Sequence, residues 1–410
     1  MLKELCVLEG HTEDRVWHVS WSPKGTHLAT CGEDKVVRIW ASSTGDWEET
    51  SSIHCIATLE DAQTRTVRSC EWSPNAKHLA CASFDGTVVV WEAQNRDRTR
   101  WEQIAALEGH ENEVKSVAWN RTGQWLATCG RDKKIWIWER VFSGNSYEFE
   151  CVSMLDGHTQ DVKFVTWHPR LDNVLFSCSY DDSIKVWGCD EGDDEFYCLH
   201  TLTGHGSTVW GLAVQNTAVG LGGEDMSAPF VANPTRIVSC SADLSLRLWQ
   251  HQPTSPGAAA DFSGDWQQMA SLPNVHTFPG YSVSWNADAD VMCSDTADGS
   301  GSDIVRGELV ASGGGDNDIH IVHVYTDEAG SPVMRRVQSI VGAHDGDVNC
   351  VRWGPRREAE SETDAYLAKV NGEGELGSAG SAGTGDYLPT SHILASAADD
   401  GTAKLWKLVV

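Results

Sequence analysis

Leu126-Ala-Thr-Cys-Gly-Arg-Asp-Lys-Lys-Ile-Trp-Ile-Trp-Glu139 reads as two short strands joined by a tight turn. Leu126 to Cys129 runs into the turn Gly130-Arg131-Asp132-Lys133, and Ile135 to Trp138 runs back. Asp132 and Trp138 stand six positions apart, and the same interval recurs at Asp34/Trp40, Asp85/Trp91, Asp181/Trp187, Asp243/Trp249 and Asp400/Trp406. A seventh unit has Asp316 with Val322 in place of the Trp. A small residue precedes each Asp by four: Thr30, Cys81, Thr128, Ser177, Ser239, Ser312 and Ser396. Upstream stands Gly10-His11, Gly109-His110, Gly157-His158, Gly204-His205 or the variant Ala343-His344. An alternating strand follows, such as Val114 to Trp119 or Val162 to Trp167.

Linked positions repeated at this period resemble the WD40 family, and the resemblance spans the whole chain. It implies an all-β fold: one seven-bladed β-propeller over residues 1–410, with four short strands per blade. Repeats then end near residues 40, 91, 138, 187, 249, 322 and 406. In that family His, Ser/Thr, Asp and Trp of one blade form a buried hydrogen-bonded tetrad. Carried onto this chain, the tetrads are His11–Thr30–Asp34–Trp40, His110–Thr128–Asp132–Trp138, His158–Ser177–Asp181–Trp187, His205–Ser239–Asp243–Trp249 and His344–Ser396–Asp400–Trp406. Blade two breaks the pattern, with Glu60-Asp61-Ala62 for Gly-His and with Cys81; in blade six the Trp is missing and His276 is a loose match.

The tetrad's physics is structural. Burying a Trp removes roughly 150–250 Å² from water, worth at most about 4–6 kcal/mol, and its indole N–H needs a buried acceptor. Five near-equivalent Ser/Thr, His and Asp sets therefore read as a folding device, not as hydrolase sites, and no Gly-x-Ser-x-Gly elbow is present.

The strand before each Gly-His belongs to the preceding blade. The chain ends at Trp406-Lys-Leu-Val-Val410, which leaves no room for an outer strand in the last blade. Lys3 to Leu8 is expected to supply it, since an unpaired edge would otherwise be exposed.

Asp-to-Asp spacings grow from 51, 47 and 49 to 62, 73 and 84. The extra residues fall at about 215–235, 287–307 and 356–391, between the first and second strands of blades five to seven. Their Gly, Ser, Ala and acidic content predicts flexible insertions. They would emerge on the face that carries the third-to-fourth-strand loops, such as Ala41–Ile53. The opposite face, built from Gly-His loops and Asp turns, stays compact and is the better candidate for specific binding.

A net charge of −28 argues against nucleic acid and against anionic membrane surfaces as partners. Screening over about 8 Å still lets a local basic patch act alone. No signal segment or apolar run of membrane-spanning length is present, which places the protein in the cytoplasm, with a nuclear pool compatible, and its 13 cysteines as thiols. Cys31, Cys129, Cys178 and Cys240 repeat at one position per blade and read as small core side chains. Cys189 and Cys198, beside the acidic run Asp190–Glu195, are expected to be the more exposed thiols. No catalytic, cofactor-binding or metal-ligating set stands outside the tetrads.

The compact rim is more informative. After the first valine of the inner strand stand Trp17, Arg68, Lys115, Lys163 and Trp210 in blades one to five; before the tetrad Asp stand Glu33, Phe84, Arg131, Tyr180 and Ala242. Arg68, Lys115, Arg131 and Lys163 form a basic arc, with Trp17, Phe84, Tyr180 and Trp210 around it. An arginine beside aromatics suits a peptide carboxylate with a hydrophobic side chain. The bland alternative is that these groups line a wet channel or pair with acids such as Glu33 and Asp181.

The run Val114 to Glu139, with Tyr147-Glu-Phe-Glu-Cys-Val, Asp161-Val-Lys-Phe-Val-Thr-Trp-His-Pro169, Ser179-Tyr-Asp-Asp182 and Thr208-Val-Trp-Gly211, goes beyond general WD40 grammar. Together they resemble the WD40 subunits of the cytosolic iron–sulfur protein assembly (CIA) machinery. That resemblance implies a non-catalytic scaffold that helps deliver Fe–S clusters to cytosolic and nuclear apoproteins, working with a small partner subunit and a large helical-repeat adaptor. It implies no cluster or other cofactor held stably by this chain. The competing expectation is a generic WD40 adaptor, either chromatin-binding or a ubiquitin-ligase substrate receptor. The Trp-Asp-x-Arg ending frequent in such receptors is absent at Trp40, Trp91, Trp138, Trp187 and Trp249.

Overall fold

The computed structural model describes residues 1–11, 14–144, 146–190, 192–216, 235–253, 264–286, 291–294, 304–355 and 392–409. Their secondary structure is strand throughout, apart from one 3₁₀ turn at Thr50–Ser52. The strands form seven antiparallel sheets. The innermost strands of blades one to seven are Val16–Trp21, Val67–Trp72, Val114–Trp119, Val162–Trp167, Val209–Val214, Gly280–Trp285 and Val348–Trp353. Each packs on the next, and the seventh packs on the first, so the blades close a ring. The chain is a seven-bladed β-propeller.

Burial follows position in the blade. The second strands, such as His27–Gly32, His78–Ser83 and Val174–Ser179, are buried at every residue, because a neighbouring blade covers each of their faces. Small Ala, Cys, Ser and Thr side chains there let the sheets approach closely. The outermost strands, such as Ile53–Leu59 and Trp101–Leu107, are exposed or half-buried except at their last residue.

A second series of tryptophans stitches blade to blade. Trp21 Nε1 donates to the carbonyl of Arg352 in blade seven at 3.2 Å, Trp72 to Ser20 in blade one at 3.1 Å, Trp119 to Glu71 in blade two at 3.3 Å, and Trp167 to Ala118 in blade three at 3.0 Å. Each thus places an apolar ring in the interblade core while its N–H satisfies a carbonyl of the preceding inner strand.

The ring closes with the N-terminal strand. Leu2–Leu8 pairs antiparallel with Ala403–Leu408, from Leu2 opposite Leu408 to Leu8 opposite Ala403. Gln338 of blade six clasps this strand: its amide accepts from Leu2 N at 2.6 Å and donates to Leu2 O at 3.1 Å.

Most of the three expected insertions, residues 217–234, 287–290, 295–303 and 356–391, lies outside the described residues. The described part of residues 287–307 is strand. Val291–Ser294 pairs with the start of the long strand Ile304–Gly314, with Val291 opposite Gly307, and adds a fifth strand to blade six. Val291, Met292 and Cys293 supply strand-forming and apolar residues that the Gly- and Asp-rich surroundings obscure.

Candidate functional site

The five tetrads are connected networks. In blade three, Trp138 Nε1 donates to Thr128 Oγ1 at 3.0 Å, Thr128 meets His110 Nε2 at 2.9 Å, and His110 Nδ1 meets Asp132 at 2.7 Å. Trp40, Trp187, Trp249 and Trp406 reach their Thr or Ser at 2.9, 2.8, 2.9 and 2.8 Å. His11, His158, His205 and His344 reach Asp34, Asp181, Asp243 and Asp400 at 3.0, 2.9, 2.8 and 2.9 Å, and Thr30, Ser177, Ser239 and Ser396 at 2.8, 2.7, 2.7 and 2.7 Å. Because the indole can only donate, the hydroxyl must donate onward to Nε2, and Nδ1–H then donates to the carboxylate. That order leaves none of the four groups short of a partner. Each tetrad hydroxyl lies beneath its Trp and is spent within the network.

The aspartate has a second task. In every blade the residue after it has positive φ, with 67° at Lys35, 70° at Lys133 and 64° at Asp182. The carboxylate accepts from the N–H two residues on, at 3.2 Å for Lys134 and 3.1 Å for Ser183. One side chain therefore holds both the turn and the tetrad. Desolvation opposes ionisation of Asp34, Asp132, Asp181, Asp243 and Asp400, but hydrogen bonds from the paired histidine and turn groups outweigh it and hold these carboxyls below the usual range.

Two irregular blades differ from the sequence expectation. His276, the loose match, forms the full pair of contacts, with Asp316 at 2.9 Å and Ser312 at 2.8 Å. In blade two, buried Gln63 fills the histidine's place and donates to the carbonyl of Cys81 at 2.9 Å. It precedes Asp85 by 22 residues, as His110 precedes Asp132, so spacing alone could have found it.

His276, Asp316 and His320 bring ligand atoms within 4.8 Å of one another, the one such group of three among the described residues. His276 uses both nitrogens within its tetrad. His320 stands four residues after the aspartate, as do Arg38 and Arg247, which pair with Asp34 and Asp243 at 2.7 and 3.6 Å. It is the blade-six counterpart of those arginines.

The cysteine expectation needs one correction. Cys31, Cys129, Cys178 and Cys240 are fully buried, and burial pushes their thiols up. Cys198 is exposed, but Cys189 is buried against Phe196 in the core shared with Trp167 and Trp187. The acidic run beside Cys189 faces solvent while the thiol turns inward, and its pKa is raised to about 11, chiefly by desolvation.

On the compact face a single backbone device places the candidate residues. In each blade the pairing of first and second strands slips between the first and third residues of the inner strand, so the intervening residue is bulged out of register. Those residues are Trp17, Arg68, Lys115, Lys163 and Trp210, continued by Tyr281 and Asn349. A bulge re-aims its side chain, here toward the ring axis. Except for Trp17, all of them line the mouth of the central channel.

The cations sit on the aromatics. Arg68 lies 4.8 Å from the Trp17 ring centroid, Lys115 4.2 Å from Phe84, and Lys163 5.0 Å from Tyr180 and 4.8 Å from Trp210. Trp17 and Phe84 are 6.3 Å apart. Seven of the eight candidates thus form one alternating cation–aromatic arc. Arg131 stands above it at the rim, 58% exposed, and reaches Glu113 at 3.3 Å. The acids that pair with the arc are Glu113 and Asp161, not Glu33 or Asp181: Arg65 reaches Glu113 at 3.6 Å and Lys163 reaches Asp161 at 3.3 Å. Burial lowers the Lys115 pKa to about 8; Glu113 opposes the shift, while Arg68 and Lys163 add to it.

Sequence reasoning missed Glu113, Arg65, Tyr281 and Arg352. Arg352 stands three residues beyond the blade-seven bulge and reaches across the channel to within 5.4 Å of Phe164 in blade four. Only ring curvature brings those two together.

The family description WD domain, G-beta repeat matches residues 2–41, 53–92, 101–139, 149–188, 196–250 and 384–407. Among curated relatives, the probable cytosolic iron-sulfur protein assembly protein 1 of Debaryomyces hansenii is 35% identical over 353 residues, covering 73% of this chain and 86% of that protein. Its namesake in Candida albicans is 32% identical across 100% of both chains. The probable cytosolic iron-sulfur protein assembly protein CIAO1 homolog of Caenorhabditis elegans is 32% identical over 98% of this chain and 97% of its own.

Proposed function

The chain belongs to the WD domain, G-beta repeat family and to the group of relatives named for cytosolic iron–sulfur protein assembly, and on that premise we propose that it is a non-catalytic scaffold of that machinery. It holds a small partner subunit, a large helical-repeat adaptor and segments of client apoproteins, and so helps deliver Fe–S clusters to cytosolic and nuclear targets. The cluster passes through the assembly without stable ligation by this chain.

The observation that carries the reading is the alternating arc of Arg68, Lys115 and Lys163 with Trp17, Phe84, Tyr180 and Trp210, crowned by exposed Arg131. On a chain of net charge −28 it concentrates charge-assisted donors beside aromatic faces, the composition of an interaction hot spot. The test is affinity purification of the tagged chain from cells, wild type beside Arg131→Glu, with partners identified by mass spectrometry. Iron–sulfur assembly factors and apoproteins are expected with the wild type and not with the variant. Recovery of nucleosomes or ubiquitin-ligase subunits in their place would overturn the reading.

A further inference from the structure

Below the rim, the polar part of the channel lining is rich in cations and carries no carboxylate. A small cavity lies on the ring axis, and every blade contributes to its wall. Four cations face it: Arg68, Lys115, Lys163 and Arg352. No Asp or Glu is among its lining residues. Among the described residues Arg68, Lys115 and Arg352 form no ion pair with a carboxylate. Arg352 instead donates to the carbonyl of Val351 at 3.1 Å and meets His18 Nε2 at 3.3 Å. The neutral lining continues the pattern. Buried Ser69 Oγ and Trp210 Nε1 have no protein partner. His18, with Nε2 facing Arg352, is held through the Cys70 backbone.

Such a set cannot satisfy itself. Burial and the nearby Arg352 both depress the Arg68 pKa, so the cations repel one another where water screens poorly. The acids nearest the mouth on the far side are already engaged. Asp399 accepts from Asn349 at 2.7 Å and from Arg15 at 3.2 Å, and Asp347 is bonded to Tyr281.

We propose that the central channel is a binding site for a small inorganic oxyanion of the phosphate class, held by Arg68, Lys115, Lys163 and Arg352 with Ser69 as a neutral donor. A multiply charged tetrahedral anion matches the site in three ways. It offers acceptors in several directions, it neutralises more than one cation, and it is small enough for the space that the inner strands leave on the axis. The site shares Arg68, Lys115 and Lys163 with the proposed partner surface, but exposed Arg131 is absent from the cavity lining, so a variant there separates the two readings.

Isothermal titration of sodium phosphate into protein dialysed free of it, at constant ionic strength set with sodium chloride, reads the site directly. One saturable phosphate site is expected in the wild type. Arg68→Met, which keeps the alkyl packing on Trp17, and Lys115→Met should each weaken it about tenfold or more, as loss of a charge-assisted contact requires. Arg131→Glu should retain phosphate affinity within about twofold even where it abolishes partner capture, so the two readings fail separately. If Arg68→Met does not fold, half-buried Lys115 decides alone. Absence of saturable heat in the wild type, or equal affinity in folded Met variants, overturns the proposal.

Discussion

Arg131 and Glu113 meet across the blade-three rim at 3.3 Å, and Arg65 reaches the same carboxylate from blade two at 3.6 Å. Two exposed guanidiniums thus share one acid, so the rim keeps a net positive group after pairing. Exposed pairs of this kind are worth little to stability, typically under about 1 kcal/mol.

Arg131→Glu should therefore abolish partner capture while changing unfolding free energy by no more than about 1 kcal/mol. Urea denaturation beside a pull-down separates the two effects. A variant that binds normally, or that simply unfolds, removes Arg131 from the site.

Thr128→Val tests the tetrad as a network. The substitution is nearly isosteric but deprives both Trp138 Nε1 and His110 Nε2 of their shared partner. Two buried polar atoms left unmatched should cost about 2–4 kcal/mol in urea unfolding. A loss below about 0.5 kcal/mol would mean that blade three is held by apolar packing alone.

Glu71 predicts an unusual pH response. It lies in the inner strand of blade two, accepts from Ser20 at 3.2 Å, and is raised to about 7 mainly by desolvation, with Arg352 opposing. The native state keeps this proton until near pH 7, whereas the unfolded chain releases it near 4.5. Stability from this group is full below pH 4.5 and falls as pH rises to 7. The tetrad aspartates act oppositely: their depressed values supply stability above about pH 4 that is lost on further acidification. Glu71→Gln should keep the Ser20 hydrogen bond, flatten the slope between pH 5 and 7, and raise stability at pH 8 by about 1–3 kcal/mol. Urea midpoints across pH measure it; parallel wild-type and variant profiles would be inconsistent with a buried, proton-holding Glu71.

Deleting residues 1–9 removes the strand opposite Ala403–Leu408 and uncovers the buried Leu2 and Leu8. The melting temperature should fall by more than about 10 °C, or the protein should aggregate through the exposed edge. An unchanged melting temperature would contradict closure by this strand.

The repeat was legible because Asp, Trp and Ser/Thr recur at fixed offsets within a single hairpin, where local spacing determines contact. Closure was legible by the same strand accounting. Gln63 was missed because an amide does a histidine's work there, and His276 was undervalued because no Gly precedes it. Cys189 misled because neighbouring acids speak for the loop and not for a side chain that packs under Phe196. The arc was visible as a list of positions, but the bulge that turns Arg68, Lys115 and Lys163 inward is a property of strand pairing. The convergence of Arg352 on Phe164 depends on ring closure, which no interval in the chain encodes.

The shared sheet at the seam also imposes a temporal order. Leu2–Leu8 leaves the ribosome about 400 residues ahead of its partner Ala403–Leu408. At about 5–20 residues per second, roughly 20–80 s separate the two. Throughout that interval the nascent chain can stack blades one to six yet cannot lock them. The first strand remains an unsatisfied sticky end in a crowded cell, which makes the newborn protein a natural client for chaperones even though the finished ring has no free edge at its seam.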